Sequence, residues 1–172
     1  MRKMFECFQR KYNCCFDTLK NISYDKQKKE FLCFCESRRL DFDKFTLTFF
    51  KHPLPSSVDT LLFDEIDKIL YLVEFKNQKC SQIDNEEIKK KVLDSINSLR
   101  VIAQSCNIRI KNYKFFVCIV YSDKDKWKRK ICSNTIQFGL EYFKERGIVF
   151  DVRTNDIEWF KKKYLSLKTR LL

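Results

Sequence analysis

An α/β domain, with a mixed central sheet flanked by helices, is the fold the sequence predicts, and three observations predict it. Two apolar strands, over residues 58–63 and 69–75, are joined by a polar turn at 65–68. A helical apolar stripe over 84–106 then leads into a continuous apolar run over 113–121, the pattern of a crossover helix feeding a strand buried on both faces. Finally, Gly 2 and Pro 2 in 172 residues are too few for a turn-rich sandwich, and favour long helices joined to a few strands.

Taken in order, residues 1–20 place Phe5, Phe8, Tyr12, Cys15, Phe16 and Leu19 on one helical face, so a helix within 1–22 is expected to pack on the core. Residues 24–39 read as a second helix capped by Asp25. Over 44–51, Phe45, Leu47 and Phe49 alternate with polar residues and read as a first strand. His52 to Ser57, with Pro53 and Pro55, is a stiff loop, and its only chemistry-bearing ring is His52, the one histidine of the chain. After the hairpin, Asp84 or Asn85 caps a helix whose stripe is Ile88, Val92, Ile96, Leu99 and Ala103. The run 113–121 is the buried strand, and 122–130 is cationic, with Lys124, Lys126, Lys128, Arg129 and Lys130 around Trp127. An aromatic flanked by cations is a device for stacking a base and holding its phosphate, although Trp127 serves equally well as the anchor of a following helix. A helix through 142–145 stops at Gly147, a short strand follows over 148–152, and a last helix spans 156–165. The order is helix, three strands, helix, strand, helix, strand, helix, with no linker or repeat, so the chain reads as one domain.

The hairpin is unusual in carrying acids where strands are normally apolar. A turn centred on Ile66 and Asp67 puts residues whose numbers sum to 133 opposite each other, so Asp59 faces Glu74. Alternation along the strand then sends Glu74, Lys76 and Gln78 to the same side as Asp59, while Leu62, Tyr71, Val73 and Phe75 form the opposite, core-like face. Two neighbouring carboxylates repel unless a cation lies between them, and oxygen ligands at a hydrated site suit Mg²⁺ or Mn²⁺.

Asp59 followed by Glu74-Phe75-Lys76 on the next strand resembles the PD-(D/E)XK, or restriction-endonuclease-like, nuclease superfamily. The resemblance covers this hairpin closely and the order of elements from about 25 to 151 loosely. It implies an αβββαβ core, in which Asp59, Glu74 and the Phe75 carbonyl hold the metal and Lys76 positions the attacking water and stabilises the phosphate's developing charge. Val58 stands where the family's motif has Pro. The same resemblance implies a further acid from the helix before the sheet, with Glu30 favoured and Glu36 its competitor. A second Glu-x-Lys, at Glu87-Ile88-Lys89, begins the predicted helix and reads as a solvated charge pattern.

Composition bounds the partners. Net charge is +12, yet residues 53–85 hold three Lys against six Asp or Glu, so an acidic pocket sits in a basic chain. That balance suits an enzyme acting on a polyanion: DNA first, with RNA also compatible. Ser56 and Ser57 are candidate phosphate contacts, equally explained by turn formation, and Gln78 could hold water or the scissile phosphate. Nine cysteines with no CxxC pair read as buried thiols of a reducing cytoplasm. No apolar run approaches the ~20 residues of a membrane span, and no secretory signal is recognised, so a cytoplasmic, soluble protein is expected. The expected function is a Mg²⁺-dependent DNA endonuclease, with a homodimer or two sequential events needed to cut both strands. The competing readings are a nucleic-acid-binding module with the same fold and no turnover, and a small basic interaction factor.

Overall fold

The computed structural model describes residues 4–122 and 138–165. Its elements in chain order are α1 (Met4–Lys11), a 3-10 turn (Asn13–Cys15), β1 (Phe16–Thr18), α2 (Leu19–Ile22), β2 (Tyr24–Asp25), β3 (Glu30–Phe31), β4 (Arg38–Asp41) and α3 (Phe42–Phe49). These are followed by β5 (Thr60–Asp64), β6 (Ile69–Lys76), α4 (Asn85–Ser105), β7 (Lys114–Tyr121), α5 (Glu141–Glu145), β8 (Asp151–Asp156), α6 (Ile157–Phe160) and a π turn (Lys161–Leu165). Six strands form one mixed sheet in the order β1-β4-β5-β6-β7-β8, and β2 pairs with β3 as a separate small hairpin. Strands β1, β4, β5 and β6 run antiparallel to their neighbours, whereas β6, β7 and β8 are parallel.

Burial on both faces explains the near-continuous apolar runs of β5, β6 and β7. On one face Leu61, Phe63, Leu70, Leu72, Val117 and Ile119 pack under α1, α3, α4 and α5. On the other, Leu62, Tyr71, Val73, Phe75, Cys118 and Val120 meet Leu19 of α2, Phe160 of α6 and Tyr164. The α/β class and the expected core face of the hairpin are therefore present. Five of the cysteines, at 7, 15, 33, 106 and 118, are buried.

Two expected elements are replaced. Residues 42–49 form helix α3, not a strand. Phe42, Phe45 and Thr46 recur at helical spacing and are buried, while Leu47 is left 58 % exposed. Asp41 caps the helix by accepting from the Lys44 N–H at 2.9 Å, and Thr46 and Thr48 bond back to the carbonyls of Asp43 and Lys44. Residues 24–39 form the β2–β3 hairpin and β4 rather than a helix. The Asp25 carboxylate does accept the N–H groups of Gln27 and Lys28, at 2.9 and 3.0 Å, but Lys26 to Glu30 offer no apolar residue to bury. The turn therefore ends after one cycle, with Lys29 at φ 55. The predicted single N-terminal helix is divided among α1, the 3-10 turn, β1 and α2. The last strand lies at Asp151–Asp156 rather than 148–152, because Val152, Thr154 and Asp156 alternate inward beside β7. Helix α4 with its Asp84 cap, strand β7, and the stop at Gly147 (φ 66) fall where expected.

Candidate active site

Strand register decides whether the hairpin acids meet. Observed partners Thr60↔Val73, Leu61↔Leu72 and Leu62↔Tyr71 fix the pairing, and one further step brings Asp59 opposite Glu74. The loop holds four residues, 65–68, closed by the Asp64 carboxylate accepting from the Ile66 and Asp67 N–H groups. A two-residue and a four-residue loop about the same centre give the same register, so the expected opposition survives the longer loop.

Asp59 lies just before β5. Its Oδ2 accepts the Phe75 N–H at 2.5 Å, so Phe75 meets this acid through its N–H, while its ring packs on Phe160 across the sheet. The Asp59 carbonyl accepts from the Phe42 N–H, which ties the start of α3 to the same point. Glu74 is 1 % exposed, and its Oε1 receives two ammonium groups, Lys91 at 2.7 Å and Lys76 at 3.2 Å. Lys76 also binds Glu87 at 2.5 Å. Glu74 Oε2 is buried and, among the described residues, has no donor.

These groups line a cleft of about 680 Å³ at the carboxyl end of β6, bounded by α2 and the β2–β3 turn, the end of β4 and start of α3, and the first half of α4. That is where open α/β sheets place ligands. Six carboxylates (Asp25, Asp41, Asp43, Asp59, Glu74 and Glu87) face four lysines along its wall, so the cleft is net acidic within a basic chain. Burial pushes the Asp59 carboxyl well above its ordinary range and the neighbouring Glu74 carboxylate pushes it further, against the pull of Lys91 and the Phe75 N–H. Burial raises Glu74 as well, with Lys91 and Lys76 opposing. Burial alone would lower Lys91, but Glu74 and Asp59 outweigh it and hold its ammonium above the usual lysine value. Burial also raises Asp41. The site is thus two acids whose charges are costly, Glu74 held by two lysines and Asp59 by a backbone N–H.

Asp59, Glu74, Phe75, Lys76 and Gln78 all border this cleft. Glu30 does not come from a helix. It is an exposed residue of β3 whose Oε2 accepts from Asn77 Nδ2 at 3.1 Å. Its competitor Glu36 is exposed and paired with Lys20. Ser57 is buried, its hydroxyl donating to Asp43 and meeting Thr46 Oγ1 at 3.2 Å, while the Ser56 N–H donates to Asp94. Those serines fasten the loop to α3 and α4, which corrects the expectation of phosphate contact for Ser57. Lys124, Lys126, Trp127, Lys128, Arg129 and Lys130 lie outside the described residues.

Sequence reasoning missed Glu87 and Lys91 on α4, and Asp41 and Asp43 at α3. Glu87 and Lys91 are four apart and each immediately precedes a buried residue of the stripe, Ile88 or Val92. A charge beside the apolar stripe, rather than opposite it, points along the sheet's edge. Lys89, by contrast, pairs with the exposed Glu86, as a solvated pattern should.

As for a metal, Mg²⁺ is commonly held through one or two carboxylates while it keeps several waters. Asp59 and Glu74 supply that donor set, and the unpartnered Glu74 Oε2 is an acceptor such an ion would satisfy. No third His, Cys, Asp or Glu among the described residues joins them as a ligand cluster. No protein-family model, curated protein or solved structure matches this chain. No helix among the described residues is long and apolar enough to cross a membrane.

Proposed function

We propose that this protein is a metal-dependent nuclease of the PD-(D/E)XK kind, hydrolysing phosphodiester bonds of DNA. One observation carries the reading: Asp59 and Glu74 converge at the open end of the sheet, with Lys76 against Glu74 and one buried carboxylate oxygen lacking a donor among the described residues. Three antiparallel strands, a crossover helix and a parallel strand, β4-β5-β6-α4-β7, are also the order such a core requires. Helix α3 is an insertion between its first two strands, and no helix of 24–39 precedes them.

In this reading Asp59 and Glu74 hold Mg²⁺ or Mn²⁺, which supplies a bound water of lowered pKa and neutralises phosphate charge. The Phe75 N–H fixes the Asp59 carboxylate, so that ligand is oriented before any ion arrives. Lys76, held between Glu74 and Glu87, offers its ammonium to the charge that develops on the phosphate. Gln78, at the lip of the cleft, can hold a water or a non-bridging oxygen. The basic remainder of the chain draws in the polyanion, and affinity should fall steeply with salt.

Purified protein incubated with supercoiled plasmid and Mg²⁺ should give nicked circles, with linear product appearing later or in a dimer. Glu74→Gln and Lys76→Ala should each cut nicking by roughly a thousandfold. Cleavage near the wild-type rate in both variants would falsify the mechanism.

The absence of a third ligand side chain among the described residues, and the two lysines already on Glu74, favour a second reading: a DNA-binding module without turnover. Salt-sensitive DNA binding with no Mn²⁺ uptake in a titration would select it.

A further inference from the structure

Helix α4 delivers two charges to the cleft, and they are held differently. Glu87 and Lys91 are one helical turn apart, so both project from the same face. Glu87 grips Lys76 at 2.5 Å, and Lys76 therefore has two acceptors, Glu74 and Glu87. Among the described residues Lys91 has one hydrogen-bonded partner only, Glu74 Oε1 at 2.7 Å. Its side chain is 21 % exposed, and its ammonium reaches an almost fully buried carboxylate.

We propose that Lys91 is the resident counter-ion of this site: its ammonium neutralises Glu74 beside Asp59 in the ion-free protein and yields Glu74 when a divalent cation enters. The inference rests on the reading of Asp59 and Glu74 as metal ligands. Three physical points support it. A cation placed between the two carboxylates lies next to the Lys91 ammonium, and like charges at that range repel strongly in a buried setting. Lys76 can remain on Glu87 when Glu74 turns to a metal, whereas Lys91 has no second hydrogen-bonded anchor among the described residues. Four methylenes of the lysine stem allow the ammonium to leave without movement of the helix. Cation loading is then an exchange of an ammonium for a metal, and the protein lowers its own metal affinity in return for a buried pair of acids that stays folded without it.

The test measures Mn²⁺ binding to the full-length protein, by the loss of the free-ion paramagnetic resonance signal, for wild type, Lys91→Met and Lys91→Arg. Removing the competing charge should tighten Mn²⁺ binding roughly tenfold or more in Lys91→Met, while Lys91→Arg stays close to wild type. Equal or weaker binding by Lys91→Met overturns the counter-ion role and leaves the metal site standing. No Mn²⁺ uptake by any of the three, including wild type, overturns the metal site itself and this proposal with it. Should Lys91→Met fail to fold, the wild type supplies the answer. Lysine side-chain NMR during a Mg²⁺ titration should show the Lys91 resonance, assigned with Lys91→Gln, shifting with ion occupancy. A Lys91 resonance that does not respond as Mg²⁺ saturates the protein also overturns the exchange.

Discussion

The two ends of the β5–β6 hairpin each bury a glutamate, and they treat it in opposite ways. At the turn end, Glu65 accepts from Tyr113 Oη at 2.7 Å, Lys68 Nζ at 3.0 Å and the Phe5 N–H at 3.2 Å. Burial pushes that carboxyl up, but these donors outweigh it and hold it below the ordinary glutamate range. At the open end, Glu74 takes both of its ammonium groups on one oxygen, has no donor to the other among the described residues, and has its carboxyl pushed up by burial. A satisfied acid of this kind fastens the start of α1 to the sheet. An under-satisfied one beside a second acid is a place kept for something from outside the chain.

The widest separation between the two ends should appear in catalysis. Glu74→Gln should cut plasmid nicking by roughly a thousandfold, about 4 kcal/mol of barrier, because an amide is a poor metal ligand. Glu65→Ala should leave nicking of the surviving folded protein intact but cost about 3 kcal/mol of stability, since the buried donors Tyr113 and Phe5 N–H lose their acceptor. Urea unfolding and plasmid assays on the same two variants check the crossing, and a Glu65→Ala protein as stable as wild type would erase the distinction.

Tyr113→Phe removes one of three donors to Glu65 and should cost about 1.5 kcal/mol, visible as a lowered urea midpoint at unchanged slope. The smallest effect has the opposite sign. The Asp59 carboxyl titrates above its unfolded value, so its contribution to stability is complete below the ordinary carboxylate range and is lost as pH rises through the raised folded value. Near neutral pH and without divalent ions, Asp59→Asn should therefore stabilise by about 1 kcal/mol, the amide oxygen still accepting the Phe75 N–H. That gain should vanish near pH 3. Urea midpoints at pH 3 and pH 8 decide it, and equal gains at both would mean that desolvated charge is not the cause.

How much of this was legible in the sequence differs by element. The hairpin register could be read because β5 and β6 are apolar on both faces and the polar turn fixes their centre, so the acids at 59 and 74 stood out. Helix α3 could not, because Phe45, Leu47 and Phe49 satisfy a period of two while Phe42, Phe45, Thr46 and Phe49 satisfy a helical one. Only tertiary packing, which buries Phe42 and Phe45 and abandons Leu47, chooses between them. The error hid Asp41 and Asp43, which reach the cleft from the helix cap. Residues 24–39 misled differently: Asp25 does cap a turn, but a cap without an apolar stripe propagates nothing. Lys91 escaped notice because a lysine within an amphipathic helix normally faces water, and what turns this one inward is a strand carboxylate, Glu74, seventeen residues earlier.

The cleft's two walls are fastened unequally. Helix α4 is pinned to the segment leading into β5, the Val58 N–H donating to Ser95 Oγ at 2.9 Å and the Ser56 N–H to Asp94 at 3.2 Å. The opposite wall, the β2–β3 turn, reaches the hairpin end through Asn77, by way of Lys28 and Glu30. One wall is thus held through buried and half-buried backbone donors and the other through exposed side chains, so a change in the girth of what the protein grips would fall on the turn and leave the acids and amines in register.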